Sequence, residues 1–315
     1  MSAPAARDAH ADGARWPITA GGDTVESGSI GRMIFLVPGD PLRPTRPDEH
    51  FAPEARAARE AGYAVAVVDH DKLARGDDAV RAVASVAGDG MAIYRGWMLE
   101  ADRYARFVDA LAARGVTLRT TAEQYRQAHE FPGWYPTLAT VTPRSAWTVG
   151  ASRTDFDQAR LALGNGPAVI RDYVKSMKHY WSEAAFIASV EDGDAVWRVA
   201  SRFRQLRDDD FVGGFVLREF EQFTAAEVRT WWVHGRCVLV GPHPDTPHDH
   251  PPEGIDLGWL APLIDALGLP FVTADLALRA DGVWRVIEVG DGQVSDRPVS
   301  IDPAMLIAAA FDEAR

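Results

Sequence analysis

FVTADLALRADGVWRVIEVGDGQVS, from Phe271 to Ser295, decides the fold of this 315-residue chain. Two alternating runs flank Asp281-Gly282, and both residues tolerate the positive φ of a two-residue type I′ turn, so the stretch predicts a β-hairpin. With Asp281 and Gly282 as the loop, Ala280 faces Val283, and counting outward sets Asp275 opposite Glu288. Strand alternation then sends Ala274, Leu276, Leu278, Ile287 and Val289 to the other face and into a core. Two carboxylates directly opposite one another repel by about 0.2–1 kcal/mol, and by more when desolvated, unless a cation lies between them. The pair therefore reads as ligands for a hard divalent metal, with Asp291 in the glycine-rich GDGQ segment able to reach back as a third oxygen donor. The plainer alternative is two solvated acids on an exposed sheet face. A loop longer by one residue would break the facing arrangement.

Upstream of this hairpin, WLAPLIDALGLP predicts a helix and EVRTWWVHGRCVLVGPHPD a second hairpin, turning at His234-Gly235-Arg236. GFVLREFEQF, from Gly214, is an apolar strand that becomes charged at Arg218-Glu219-Phe220-Glu221. Further back, Ala168 to Val174 has strand character, and Arg171, Lys175 and Lys178 place three cations at its end and in the following loop. Such a cluster suits a polyphosphate, since Arg offers a planar fork and Lys a point charge; the alternative is a solvated basic face. TDFDQARLALGNG predicts a helix with an Asp or Thr cap, WSEAAFIASV and WRVASRFRQL two more, and Asp302-Pro303 opens a last helix through Ala310. His243, His248 and His250 lie in a proline-punctuated loop, which is no rigid frame for a metal.

In the N-terminal half, MIFLV from Met33 predicts a buried strand followed by a proline-rich loop. FAPEARAAREAGYAVAVVD then gives a helix stopped by Gly62 and a second buried strand, one β-loop-α-β unit of a parallel sheet. MAIYRGW and VTLRT repeat the strand signal around an amphipathic helix ending at Gly115. Tyr94-Arg95-Gly96-Trp97 stands at a strand end, where open α/β sheets place ligands, but reads as packing. No GxGxxG or GxxxxGK[ST] pattern occurs. Residues 1–32 have no periodicity and are expected to be a mobile extension.

Length suggests two domains at roughly 100–200 residues each. With 33 basic against 45 acidic residues and a net charge of −12, non-specific attraction to nucleic acid or anionic lipid is not expected. A single cysteine, Cys237, excludes an internal disulfide and multi-cysteine zinc patterns and, in an apolar run, reads as inert. No run reaches the length of a membrane span and no signal-type segment opens the chain, so a cytoplasmic protein is expected.

A cation cluster, then a strand turning charged, then a paired-carboxylate hairpin is an order that resembles the ATP-grasp superfamily. Within it the match is to the divergent clade marked by an arginine and two lysines, which includes the eukaryotic cell-division protein that helps assemble a translation initiation factor. VIRDYVKSMKHYW, FVLREFE, EVRTWWVHGR, ADLAL and VIEVGDGQ carry the resemblance. It implies an α/β chain, α+β in its C-terminal half: a pre-ATP-grasp α/β domain over 33–146, then an ATP-grasp fold over 147–315 in two subdomains, about 147–217 and 218–315.

Residue by residue, the resemblance implies that Arg171, Lys175 and Lys178 contact the ATP phosphates, with Arg218 and Arg229 close by and Glu227 beside them. Leu217 to Glu221 would be the inter-subdomain linker, where backbone groups of Glu219 and Phe220 meet adenine and a carboxylate, Glu219 or Glu221, takes the ribose. Asp275 and Glu288 would hold magnesium; the family often ends this motif Glu-x-Asn, and here Asp291 is the candidate third ligand. The implied activity is an ATP- and magnesium-dependent carboxylate–amine ligase working through an acylphosphate, with Lys178 and Arg229 catalytic and small-molecule, peptide or protein substrates. The alternative is an ATP-binding assembly factor without ligase turnover.

Overall fold

The computed structural model describes residues 33–76 and 78–312, and the extension expected over 1–32 lies outside them. The apolar run after Met33 forms β1 (Ile34–Asp40), buried from Ile34 to Pro38 as a continuous apolar run is in a parallel sheet. The proline-rich segment expected as a loop holds a strand instead, β2 (Arg43–Pro47), antiparallel to β1. It is an edge strand, where a proline's missing N–H removes no ladder bond. Next come α1 (Ala52–Glu60), β3 (Ala64–Val68), α2 (His70–Arg75), α3 (Ala79–Ala82), β4 (Gly90–Tyr94), α4 (Ala101–Ala112) and β5 (Val116–Leu118). β3, β1, β4 and β5 pair in parallel, so the β-loop-α-β unit and its continuation stand as the sequence predicts.

α5 (Ala122–His129) opens with a Thr121–Gln124 capping box, and α6 (Phe131–Leu138) follows. Phe131, Trp134 and Leu138 of α6 pack against Val272, Ala274 and Val289 of the C-terminal hairpin. β6 (Ser145–Trp147), α7 (Arg153–Leu163), β7 (Ala168–Arg171), β8 (Phe186–Ile187), α8 (Gly193–Arg207) and β9 (Val216–Glu219) build an antiparallel sheet in the order β6-β9-β7-β8. The cap of α7 is Ser152, whose Oγ accepts from the Asp155 N–H, rather than the expected Asp or Thr. WSEAAFIASV is not a regular helix. A 3-10 turn (Lys178–Tyr180) and a π turn (Trp181–Ala185) run into β8, and Trp181 stacks on Phe186 at 5.4 Å, five residues on, as i→i+5 winding allows.

A second antiparallel sheet, β11-β10-β12-β13, comprises β10 (Val228–Val233), β11 (Arg236–Pro242), β12 (Phe271–Leu278) and β13 (Trp284–Asp291), with α9 (Ala261–Asp265) between β11 and β12 and α10 (Pro303–Ala310) closing the chain. The β10–β11 turn is where expected: His234 at φ 45° and Gly235 at φ 71° are both left-handed, as a type I′ turn requires.

The β12–β13 hairpin reaches its expected pairing by another route. Leu278 pairs with Trp284 and Leu276 with Val286, while the Gly282 N–H donates to the Arg279 carbonyl at 2.9 Å. Only Gly282, at φ 83°, takes the left-handed region there; Asp281 does not. The connection is thus a type I turn closed by a left-handed glycine, one residue out of step with a type I′ loop. A bulge at Ile287 restores the count, and Asp275 still faces Glu288. The bulge also exchanges faces. Val286 fills the core position expected of Ile287, and Ile287 lines the cleft described next.

Candidate active site

A cleft of about 650 Å³ is lined from both antiparallel sheets, and every site residue the sequence singled out lines it except Asp291. Its floor carries a row of three charged residues on adjacent strands, Arg229 of β10 opposite Asp275 of β12 opposite Glu288 of β13. Arg229 grips Asp275 with Nε and Nη2, each 2.8 Å from a carboxylate oxygen, and its Nη1 donates to the Asp296 carbonyl at 3.1 Å. Burial would raise the Asp275 pKa, but Arg229 and then His243 hold it down at about 2. Asp275 is therefore a paired, buried acid, not a solvated one. Glu288 is 43% exposed and has Arg171 Nη2 at 3.6 Å. The repulsion expected across the hairpin is answered by a guanidinium on each flank.

Arg171 and Arg218 project to the same side of adjacent strands β7 and β9, at 7% and 5% exposure. Arg171 Nη2 donates to the Val174 carbonyl, while Arg218 donates to the Ile287 carbonyl and Thr142 Oγ1 at 2.7 and 2.8 Å. The Nε of each is buried without a hydrogen-bond partner. Burial first, then the charge of Arg171, lowers the Arg218 pKa to about 9. Two buried like charges with free donors make a site for an anion. Lys175 and Lys178 stand exposed in the loop after β7, where Lys178 pairs with Asp245 and its pKa is raised by that contact.

In the β9 segment the Glu219 N–H donates to the Arg144 carbonyl at 2.8 Å and the Phe220 N–H to the Pro167 carbonyl at 3.0 Å. Glu221 is committed to Arg285 through two 3.0 Å bonds, with Arg279 at 3.6 Å, whereas Glu219 is exposed at the cleft. Asp291 is not brought to the cleft. Three places beyond Glu288, it is fully buried and accepts from the Gln293 N–H and Nε2 at 2.9 and 3.0 Å, and burial raises its pKa to about 6.

His243, set aside in the sequence as part of a loop, sits inside the site. Its Nδ1 accepts from the Asp245 N–H at 3.1 Å and its Nε2 lies 3.5 Å from Asp275 and 3.2 Å from Arg229. Burial would lower its pKa, but the hydrogen bond to Asp275 outweighs that and raises it. Ligand atoms of Glu227, His243 and Asp275 lie within 4.8 Å of one another. The clue in the sequence is that His243 directly follows the end of a strand, and its N–H is fixed to the Glu227 carbonyl at 3.1 Å. Cys237 is half-buried, and burial pushes its thiol up to about 11, away from the reactive thiolate.

Residues 162–310 match the model of an ATP-grasp domain family, the third family of the clade named for its one arginine and two lysines. The chain carries an ATP-grasp domain of that clade. Among solved structures, this chain is similar to a RimK domain ATP-grasp protein from Sphaerobacter thermophilus DSM 20745, at 19% identity and TM-score 0.58, over 88% of this chain and 98% of that one. It is similar to the D-cycloserine synthetase DcsG at 18% identity and TM-score 0.58, over 88% and 98%. The ATP-grasp ligase PsnB, solved with minimal precursor, Mg and ADP, matches at 13% identity and TM-score 0.53, over 89% and 97%. These likenesses extend the fold across the N-terminal α/β unit as well as the ATP-grasp domain. No curated protein matches the sequence. Among the described residues no helix is long and apolar enough to cross a membrane.

Proposed function

We propose that this chain is an ATP- and magnesium-dependent ligase that joins a carboxylate to an amine through an acylphosphate. The observation that carries this reading is one cleft that sets two buried arginines, each with an unpartnered Nε, against the Arg229–Asp275–Glu288 row. A triphosphate fits the first group, and Lys175 and Lys178 would cover its outer oxygens. Trp181 and Phe220, at 45% and 37% exposure, flank the slot for the adenine. With the Glu219 and Phe220 N–H groups committed, carbonyl oxygens of the linker would meet the base, and Glu219 rather than Glu221 would take the ribose.

The oxygen donors fit a hard cation: Glu288 and Asp275 would hold magnesium, with Glu227 the nearer third carboxylate in place of Asp291. When bound, magnesium neutralises charge on the β- and γ-phosphates. Lys178 and Arg229 would stabilise the charge that develops as the phosphoryl group passes to the substrate carboxylate. The amine then displaces phosphate, and no side-chain nucleophile is needed. PsnB, solved with Mg, ADP and a precursor, and DcsG, a synthetase, support the reading through the shared fold. Thermal unfolding tests it. ATP with magnesium at a hundredfold excess over Kd should stabilise the chain by about 2.7 kcal/mol. Glu288→Ala should abolish the magnesium dependence and Lys178→Ala should weaken ATP. No stabilisation of the wild type, or unchanged behaviour of both variants, overturns the proposal; ADP release with pools of carboxylates and amines then reads turnover.

A further inference from the structure

The inner end of the cleft holds a corner that the nucleotide and metal reading leaves unassigned. One pleat beyond the Asp275–Glu288 pair, about 7 Å along the strands, Thr273 faces Gly290. Thr273 Oγ1 lies 2.6 Å from Ser295 Oγ, and Ser295 Oγ donates to the Asp291 carbonyl at 2.9 Å. Either hydroxyl can be the donor between them, and the Gly290 carbonyl stands 3.4 Å from Thr273 Oγ1, so each hydroxyl proton has an acceptor within the hairpin whichever way the pair is oriented. What the hydroxyls still offer is lone pairs.

His129, the last residue of α5, closes the corner and lines the cleft, and its Nε2 is buried without a hydrogen-bond partner. Gly290 keeps the space open. A Cβ there would stand 3.1 Å from Ser295 Oγ, 3.2 Å from Thr273 Oγ1 and 3.9 Å from His129 Cε1. Met98 and Val294 supply an apolar rim. Burial, then the charge of Lys175, pushes the His129 pKa far down, so the ring is neutral. None of Thr273, Ser295, His129, Met98 and Val294 carries a carboxylate, and Asp275 and Glu288 stand one pleat away.

We propose that this corner seats the amine substrate of the ligase reading, on which the inference rests, and takes it uncharged: Thr273 Oγ1 and His129 Nε2 accept its two N–H groups. Holding both protons turns the nitrogen lone pair away from the corner, toward the phosphate side of the cleft. In the step that follows, the nitrogen is drawn out of the corner as it bonds to the acyl carbon, the carbon–oxygen bond to phosphate breaks with its electron pair, and the surplus proton, freed from its hydrogen bond in the corner, leaves with the phosphate. An ammonium could not do this, having no lone pair to bond with, and Thr273 and His129 offer it no charge. His129 is a positioning residue, and the proposal requires the neutral tautomer that carries its proton on Nδ1 and leaves Nε2 free to accept.

The test is a titration of the full chain, ¹⁵N-labelled at histidine, with hydroxylamine as the small neutral amine and tetramethylammonium and acetate as charged controls. His129→Gln identifies the resonance. Hydroxylamine should shift the His129 Nε2 signal saturably, with that nitrogen unprotonated, and the two ions should not. Thr273→Val should weaken this response at least tenfold while AMP-PNP affinity changes less than twofold. No response to hydroxylamine, an equal response to either ion, or a protonated Nε2 overturns the proposal. Titrating with and without magnesium and AMP-PNP keeps the outcomes apart: a chain that fails to bind nucleotide sinks the ligase reading, while the amine response is still read directly on His129.

Discussion

Asp275 and Asp291 belong to one hairpin, yet their surroundings push their pKa values in opposite directions, to about 2 and about 6 from 3.8. For Asp275 the folded value is depressed, so its contribution to stability is complete above pH 3.8 and is lost as pH falls through about 2. For Asp291 burial favours the protonated form; its contribution is complete below pH 3.8 and is lost as pH rises through about 6. At about 1.4 kcal/mol per pKa unit, Asp291 should withdraw about 3 kcal/mol by pH 7. Asp291→Asn removes the titration but sets an amide NH2 against one of the two Gln293 N–H donors, so its cost in urea unfolding should be larger at pH 4 and shrink by about 3 kcal/mol by pH 7. A constant difference across that range would show that Asp291 does not titrate in the folded chain. The sequence singled out both acids as metal ligands because chemistry and spacing agreed. It could not separate them, since Asp275 is defined by Arg229, 46 residues away across a strand pair, and Asp291 by Gln293 and its burial against the N-terminal unit. Likewise the three cations were legible as a cluster, but burial of Arg171 beside Arg218 comes only from the β7–β9 pairing.

Turn chemistry is decided at the level of the element. Asp281-Gly282 reads as a type I′ loop and is not one, whereas the turn at His234-Gly235, for which the sequence named no type, is. Asp-Gly also suits a type I turn closed by a left-handed glycine, and nothing local chooses between them; the pairing with the bulge at Ile287, which puts Val286 in the apolar cluster shared with α6, is set by the rest of the fold. Strand existence and the Asp275–Glu288 pairing were therefore legible, while the face assigned to Ile287 was not. Gly282→Ala and Gly235→Ala should separate the two turns by their cost. Around Gly282 no atom lies within 4 Å of an added Cβ, so only the left-handed backbone is strained, about 1–2 kcal/mol. At Gly235 the Cβ would also meet Asp265 Cβ at 2.6 Å, so that variant should lose more. Urea denaturation of the pair checks this, and equal losses would mean that the Asp265 side of the turn yields freely.

Across the whole molecule, the N-terminal α/β unit and the hairpin sheet are tied by a residue the sequence dismissed as packing. Arg95, at the C-terminal end of β4, is fully buried; it pairs with Glu54 at 2.8 and 3.1 Å and donates through Nη1 to the carbonyls of Gly292, Gln293 and Ser295 at 2.7, 3.0 and 2.8 Å. Those carbonyls follow β13 directly, so one guanidinium sets where Ser295 and Asp296 stand at the cleft. Its partners lie 41 and about 200 residues away, which is why MAIYRGW alone could not reveal it. Removing one member of a buried ion pair leaves the other uncompensated, at about 3–5 kcal/mol. Arg95→Met should therefore destabilise the chain by that amount, with Arg297, 3.4 Å from Glu54, softening the loss. Glu54→Gln together with Arg95→Met should lose less than the two single variants combined, with a coupling of about 0.5–3 kcal/mol in a double-mutant cycle. Additive losses would show that Glu54 does not need Arg95, and that the three carbonyls alone hold the hairpin sheet against the N-terminal unit.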